Sequence, residues 1–123
     1  MVSVWIWGGT LSIMSNVYKN ASVDLTTTDK TNVYTCPSET TAIVKSIRVT
    51  EDSGNNDTIA VELYDNSAES TFKVTGTLTV SANASTELLT VPLVLEESDI
   101  IKATAGTANR LHVVMSLLQI KRD

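Results

Sequence analysis

Apolar and polar residues alternate along most of this chain. Val17, Ala21, Val23 and Leu25 are spaced by polar residues, "TTTDKTN" breaks the pattern, and "VYT" resumes it. A period of two predicts short strands separated by turns. Cys36-Pro37-Ser38-Glu39 reads as a turn, because Pro37 cannot donate to a ladder and pushes the residue before it into extended geometry. "TTAIVKSIRVTE" follows as a strand with Ile43, Ile47 and Val49 on one face and Lys45 among them, ending at the polar loop "DSGNND". Ile59, Val61 and Leu63 then alternate with Ala60, Glu62 and Tyr64, as in a strand with one face toward water.

"DNSAES" turns the chain again, and "FKVTGTLTV" reads as a strand bent at Gly76 or as a tight hairpin. "TELLTVPLVLEESDIIKATA" holds two apolar runs around Pro92. The last run, "RLHVVMSLLQI", places Leu111, Val113, Met115 and Leu117 on one face and His112, Val114, Ser116, Leu118 and Ile120 on the other. Both faces are largely apolar, so this strand is expected at the centre of a sheet. No stretch carries a capped helical stripe. About eight strands at this spacing predict an all-β fold, an antiparallel β-sandwich of jelly-roll type.

Size and composition fit that reading. A chain of 123 residues suits one domain. Thr and Ser together make 31 of its residues, and Thr favours pleated, half-buried surfaces. The net charge of -5, with nine basic residues scattered among fourteen acids, leaves no basic face for nucleic acid or anionic lipid. Cys36 is the single cysteine, which rules out an intrachain disulfide and suits a reducing cytoplasm. Three glycosylation sequons, at Asn20, Asn56 and Asn83, are what a Ser/Thr/Asn-rich chain produces by chance.

Candidate chemistry is sparse. His112 and Cys36 are singletons, and nothing local activates the thiol as a nucleophile. "EDSGNND" gathers hard oxygen ligands of the kind calcium takes, but its spacing is not that of an EF-hand, and turn chemistry accounts for the same residues. Glu96, Glu97 and Asp99 read as a solvated turn. The expectation is no catalytic site, no metal and no cofactor.

The order of segments is more specific than any one motif. Val33, Tyr34 and Pro37, then Ile47, Val49 and Thr50, then Leu95, Asp99 and Ile101, and finally Ser116 and Ile120 form a series across residues 16–121. This series resembles small β-sandwich structural proteins of tailed bacteriophages, of the capsid decoration (cement) or tail accessory type. In that pattern a Gly usually precedes the turn aspartate, where this chain has Ser98. The resemblance implies a non-enzymatic virion protein, assembled in the host cytoplasm, that binds the major capsid protein or another virion protein. Capsid decoration proteins often sit at local threefold points, so the resemblance also implies a homotrimer. The alternatives are a tail or fibre accessory protein and a module binding carbohydrate on the host surface. Sugar sites want aromatic platforms, and beyond the two N-terminal tryptophans the chain offers only Tyr18, Tyr34, Tyr64 and Phe72.

The opening "MVSVWIWGGTLSI" stands apart. It has no basic n-region, Gly8-Gly9 interrupts its apolar run, and it is too short to span a bilayer. The resemblance begins at "MSNVYKN", which divides the chain into residues 1–13 and a sandwich domain of residues 14–123. Residues 1–13 are then either an upstream extension from a misassigned start or an interaction arm centred on Val4, Trp5, Ile6 and Trp7. An uncharged strand-former of this kind is an edge liability unless a neighbour pairs with it.

Overall fold

A computed structural model describes residues 2–7 and 10–122, with side chains from Ser15 to Arg122. Among the described residues there are eleven strands and no helix, hence none long and apolar enough to cross a membrane. They are β1 (Val2–Trp7), β2 (Thr10–Leu25), β3 (Thr31–Thr35), β4 (Thr40–Glu51), β5 (Asp57–Asp65), β6 (Ser70–Lys73), β7 (Leu78–Val80), β8 (Ser85–Glu87), β9 (Leu93–Leu95), β10 (Ile100–Ala105) and β11 (Leu111–Arg122). The chain crosses between two antiparallel sheets, giving a jelly-roll-like sandwich. The first sheet runs β1-β2-β11-β4, with β8 and β9 both on the far edge of β4. The second runs β3-β10-β5, with β6 and β7 both along the far edge of β5.

The strand expected to be central is central: β11 lies between β2 and β4. Its Leu111, Val113, Met115 and Leu117 face the core and meet Ile59, Val61, Ile101 and Ala103 of the second sheet's buried set. At one end of this core Gln119 Nε2 donates to the Tyr34 hydroxyl at 2.6 Å, joining β11 to β3 across the sandwich.

β4 departs from simple alternation. Ala42 and Val44 are buried, and so are Ile47 and Val49, although a period of two cannot put both pairs on one face. A bulge resolves the conflict: Leu117 opposes Val44 and Ser116 opposes Ser46, leaving Lys45 as the extra residue. Ile43 therefore faces outward, not inward with Ile47 and Val49 as the unbroken pattern predicts. Among the described residues the strands number eleven rather than about eight, because each sheet's far edge is split in two and β1 adds one more. "FKVTGTLTV" is bent rather than folded into a hairpin, since β6 and β7 run along the same edge of β5.

Turns at the strand ends are held by buried carboxylates. Asp99 is 5% exposed, and its two oxygens accept N–H bonds from Asn66 at 3.0 Å and Glu96 at 2.9 Å. It is thus an internal clasp and not part of a solvated turn. Ser98 beside it has φ of +68°, the left-handed region that favours glycine, which explains why the pattern it resembles has Gly there. At the opposite end Asp57 accepts from Thr58 N at 2.8 Å and Thr107 N at 3.2 Å. Gly106 fits against this pair only because it lacks a Cβ, which would overlap the Thr58 hydroxyl and lie 2.8 Å from Asp57 Oδ1.

These two turns respond oppositely to one added or removed side chain. Ser98→Gly is expected to raise stability by about 0.5–1 kcal/mol, through relief of left-handed strain less the entropy of the glycine. Gly106→Ala is expected to lower it by about 1–3 kcal/mol, the usual cost of overpacking. Urea denaturation of both variants reads the two signs directly.

Candidate interaction surfaces

The residues that sequence reasoning weighed for chemistry are kept apart by the fold. Cys36 is 1% exposed, with Sγ 3.4 Å from the Thr40 carbonyl, and Thr40 pairs with Lys121 near the end of β11. His112 lies at the start of β11, nine residues from Lys121, or about 30 Å along the strand. They cannot act as nucleophile and base. Burial pushes the Cys36 thiol pKa up, which disfavours the reactive thiolate. His112 Nε2 instead sits 3.0 Å from Asp52 Oδ2 and 3.8 Å from Asp24 Oδ1 on the surface.

The acids of "EDSGNND" are similarly engaged. Glu51 is fully buried, and its carboxylate accepts the N–H groups of Ser53 at 2.9 Å, Gly54 at 3.0 Å and Asn83 at 3.1 Å, along with the Ser53 hydroxyl. Burial alone would raise its pKa. The Ser53 hydroxyl and the three backbone donors overcome that effect and hold it at about 2, below the ordinary 4.5. Glu51 and Asp57 thus serve as acceptors for backbone donors, while Asp52 sits against His112 on the surface. Among the described residues no group of three or more His, Cys, Asp or Glu side chains could hold a metal ion.

What remains exposed and unexplained is apolar. On the outer face of the first sheet, Tyr18 opposes Leu118, Leu118 opposes Ile43, and Ile43 opposes Val94. One row of large side chains thus crosses four strands, β2, β11, β4 and β9. Its ends are open, with Tyr18 75% and Val94 57% exposed. Lys45, the bulge residue, places Nζ 5.5 Å from the Tyr18 ring centroid, so a cation sits against the ring while most of the side chain stays exposed. Toward the other end the same face turns polar, with Asp24, His112, Thr50 and Ser85 in one row.

A second apolar surface lies at the lateral mouth of the sandwich. A groove of about 300 Å³ runs between the two split edges, lined by Leu63, Phe72, Val74, Leu89, Val91 and Leu93 among others. Phe72 opposes Leu63 and shares its core-facing side, yet it is 53% exposed; Val91 is 70% exposed. The sequence did carry a signal for this groove: "LLTVPLVL" is apolar without alternation, and Pro92 prevents it from being one strand.

Val4, Trp5, Ile6 and Trp7 lie in β1, whose backbone pairs with β2 from Val2 opposite Ser15 to Trp7 opposite Thr10. Their side chains, and Gly8 and Gly9, lie outside the described residues. β11 reaches β2 only as far as Met14, opposite Arg122. Among the described residues, 10–13 of β2 therefore pair with β1 alone, and this stretch of β2 runs about 13 Å beyond its last β11 partner.

No family model matches the sequence, and no curated protein matches it. Solved structures do match. A chain from the disulfide-linked pili that form Bacillus endospore appendages aligns with a TM-score of 0.50 at 14% identity, covering 88% of each chain. The Drosophila NLP core, described for pentamer formation and histone binding, aligns with a TM-score of 0.51 at 9% identity, covering 81% of this chain and 96% of its own. A chain from the virus-like particle of the extra small virus of the prawn Macrobrachium rosenbergii has a TM-score of 0.44 at 14% identity, covering 96% and 82%. At such identities the likeness is one of fold.

The Glu51 clasp predicts an acid-sensitive loop. With a folded pKa near 2 and an ordinary value of 4.5, the unfolded chain binds more protons between those limits, so stability rises with pH there. Its contribution is complete above pH 4.5 and is lost as pH falls through 2. Glu51→Gln is expected to be less stable at pH 7 and to show a shallower loss of stability from pH 4.5 to 2. Denaturant midpoints across that range provide the measurement, and an unchanged slope would count against the clasp.

Proposed function

We propose that this protein is a non-enzymatic structural subunit of a bacteriophage virion, a capsid decoration protein that binds the head shell as a homotrimer. The observation that carries the reading is the outward apolar row Tyr18–Leu118–Ile43–Val94. A two-layer sandwich covers one face of each sheet with its own second layer, and a contiguous apolar band on the other face marks a protein contact. The segment pattern of tailed-phage sandwich proteins supports the choice of virion. The trimer and the seat on the major capsid protein rest on that resemblance. A tail station uses the same surfaces and differs only in the partner.

Tyr18→Lys and Val94→Lys test the contact without touching the core, because both side chains are largely exposed. Each variant is expected to keep its melting temperature within a few degrees, since surface changes usually stay within about 0.5 kcal/mol. Each is expected to shift sedimentation-equilibrium mass toward monomer and to lose occupancy on purified phage heads. A wild-type chain that is monomeric at micromolar concentration, and absent from purified particles by mass spectrometry, overturns the reading. Intact mass of the chain taken from particles also decides the opening residues: a chain beginning at Met14 or Ser15 removes the arm.

A further inference from the structure

We propose that Val2–Trp7 of one copy docks in the lateral groove of the next, so that subunits join head to tail. This rests on the reading of the protein as a self-associating virion structural subunit and names the surfaces that join its copies. The groove lacks a cover of its own. Both sheets end there in short strands, β6 and β7 on one side and β8 and β9 on the other, and the groove lies between the two breaks. Among the described residues β6 and β9 each have one partner strand, so each presents a free edge beside the apolar floor. An extended segment added at such a place gains ladder hydrogen bonds from the edge and pockets for alternate side chains.

The occupant is identified by its own chemistry. Val2–Trp7 is a strand, carries no charge, and includes the only two tryptophans in the chain. Of the groove's lining residues only Lys73 is charged, so an uncharged apolar strand matches it. Position makes the contact intermolecular. β1 lies at one margin of the first sheet, and β8 and β9 lie at the other, four strand spacings or about 19 Å away. Val4–Trp7 oppose residues 10–13 of β2, beyond the last β11 pairing, and so lie at the margin opposite β9. A donor at one margin and an acceptor at the opposite margin make a heterologous contact, which closes into a ring if the rotation allows and otherwise propagates.

Full-length chains carrying Trp5→Cys or Val91→Cys test this, with buried Cys36 retained in both as an internal control. Mixed in equal amounts and oxidised with diamide, they are expected to give a covalent dimer on a non-reducing gel, while either variant alone gives less than a tenth as much. The double variant is expected to give a ladder of covalent oligomers. An intramolecular cross-link in the double variant, equal dimer from a single variant, or no cross-link in the mixture overturns the proposal. Val91→Asp adds a readout without cysteines: at a largely exposed position it is expected to leave the melting temperature unchanged and weaken self-association at least tenfold. If that variant associates normally while the protein is still found on particles, the arm contact fails and the structural role stands.

Discussion

Buried carboxylates that accept backbone N–H groups hold the ends of this sandwich in place. An ionised carboxylate out of water is tolerable only when its oxygens are satisfied, and loop N–H groups have the complementary need. Glu51 links the turn after β4 to the β7–β8 connection, and Asp57 links the start of β5 to the β10–β11 connection. At the other end Asp99 links the turn before β10 to the β5–β6 connection. Each clasp joins segments far apart in sequence and sets where the strands between them begin. Between those clasped ends the strand registers, with the bulge at Lys45, bring Tyr18, Leu118, Ile43 and Val94 into one line.

The acidic composition takes on a different meaning in this light. Fourteen acids against nine bases suggest a solvated, repulsive surface, yet several of those acids, buried or not, are bound to the protein's own N–H groups. Asp65 binds the Ser67 hydroxyl and the N–H groups of Ser67 and Ala68 within its own turn. Glu87 accepts from Ile47 N and Leu89 N, fixing the short β8 edge and the start of the groove-lining segment. Burial would raise the Glu87 pKa, but the Ser46 hydroxyl and these N–H groups draw it below its ordinary value. The charge balance thus serves loop closure as well as solubility.

Strands and their central member were legible because alternation follows from burial of one face, and β11 shows it without interruption. Ile43 was misread because a single inserted residue, Lys45, reverses the parity of everything before it, and no residue type announces a bulge. Asp99 was misread because an acid in a turn looks the same whether it faces water or closes the turn from within. Ser98 was legible as a departure from a pattern, and its positive φ supplied the reason. The groove was hidden for another reason: sequence shows that "LLTVPLVL" is apolar, but not that both sheets break opposite one another. The side chains of Val4, Trp5, Ile6 and Trp7 stood out by composition alone.

The strand at the middle of the first sheet follows all the others along the chain. β2 pairs with it through residues ninety positions apart, as Val23 does with Val113. At about 5–20 residues per second of synthesis, β2 waits roughly 5–20 s for its inner partner. Through that interval the edges of β2 and β4 that will meet β11 lack their partner. Completion of the first sheet is therefore a late event in the life of the nascent chain. Yield in a foreign host should depend on translation speed and on the chaperones that shield those edges more than on the stability of the finished fold.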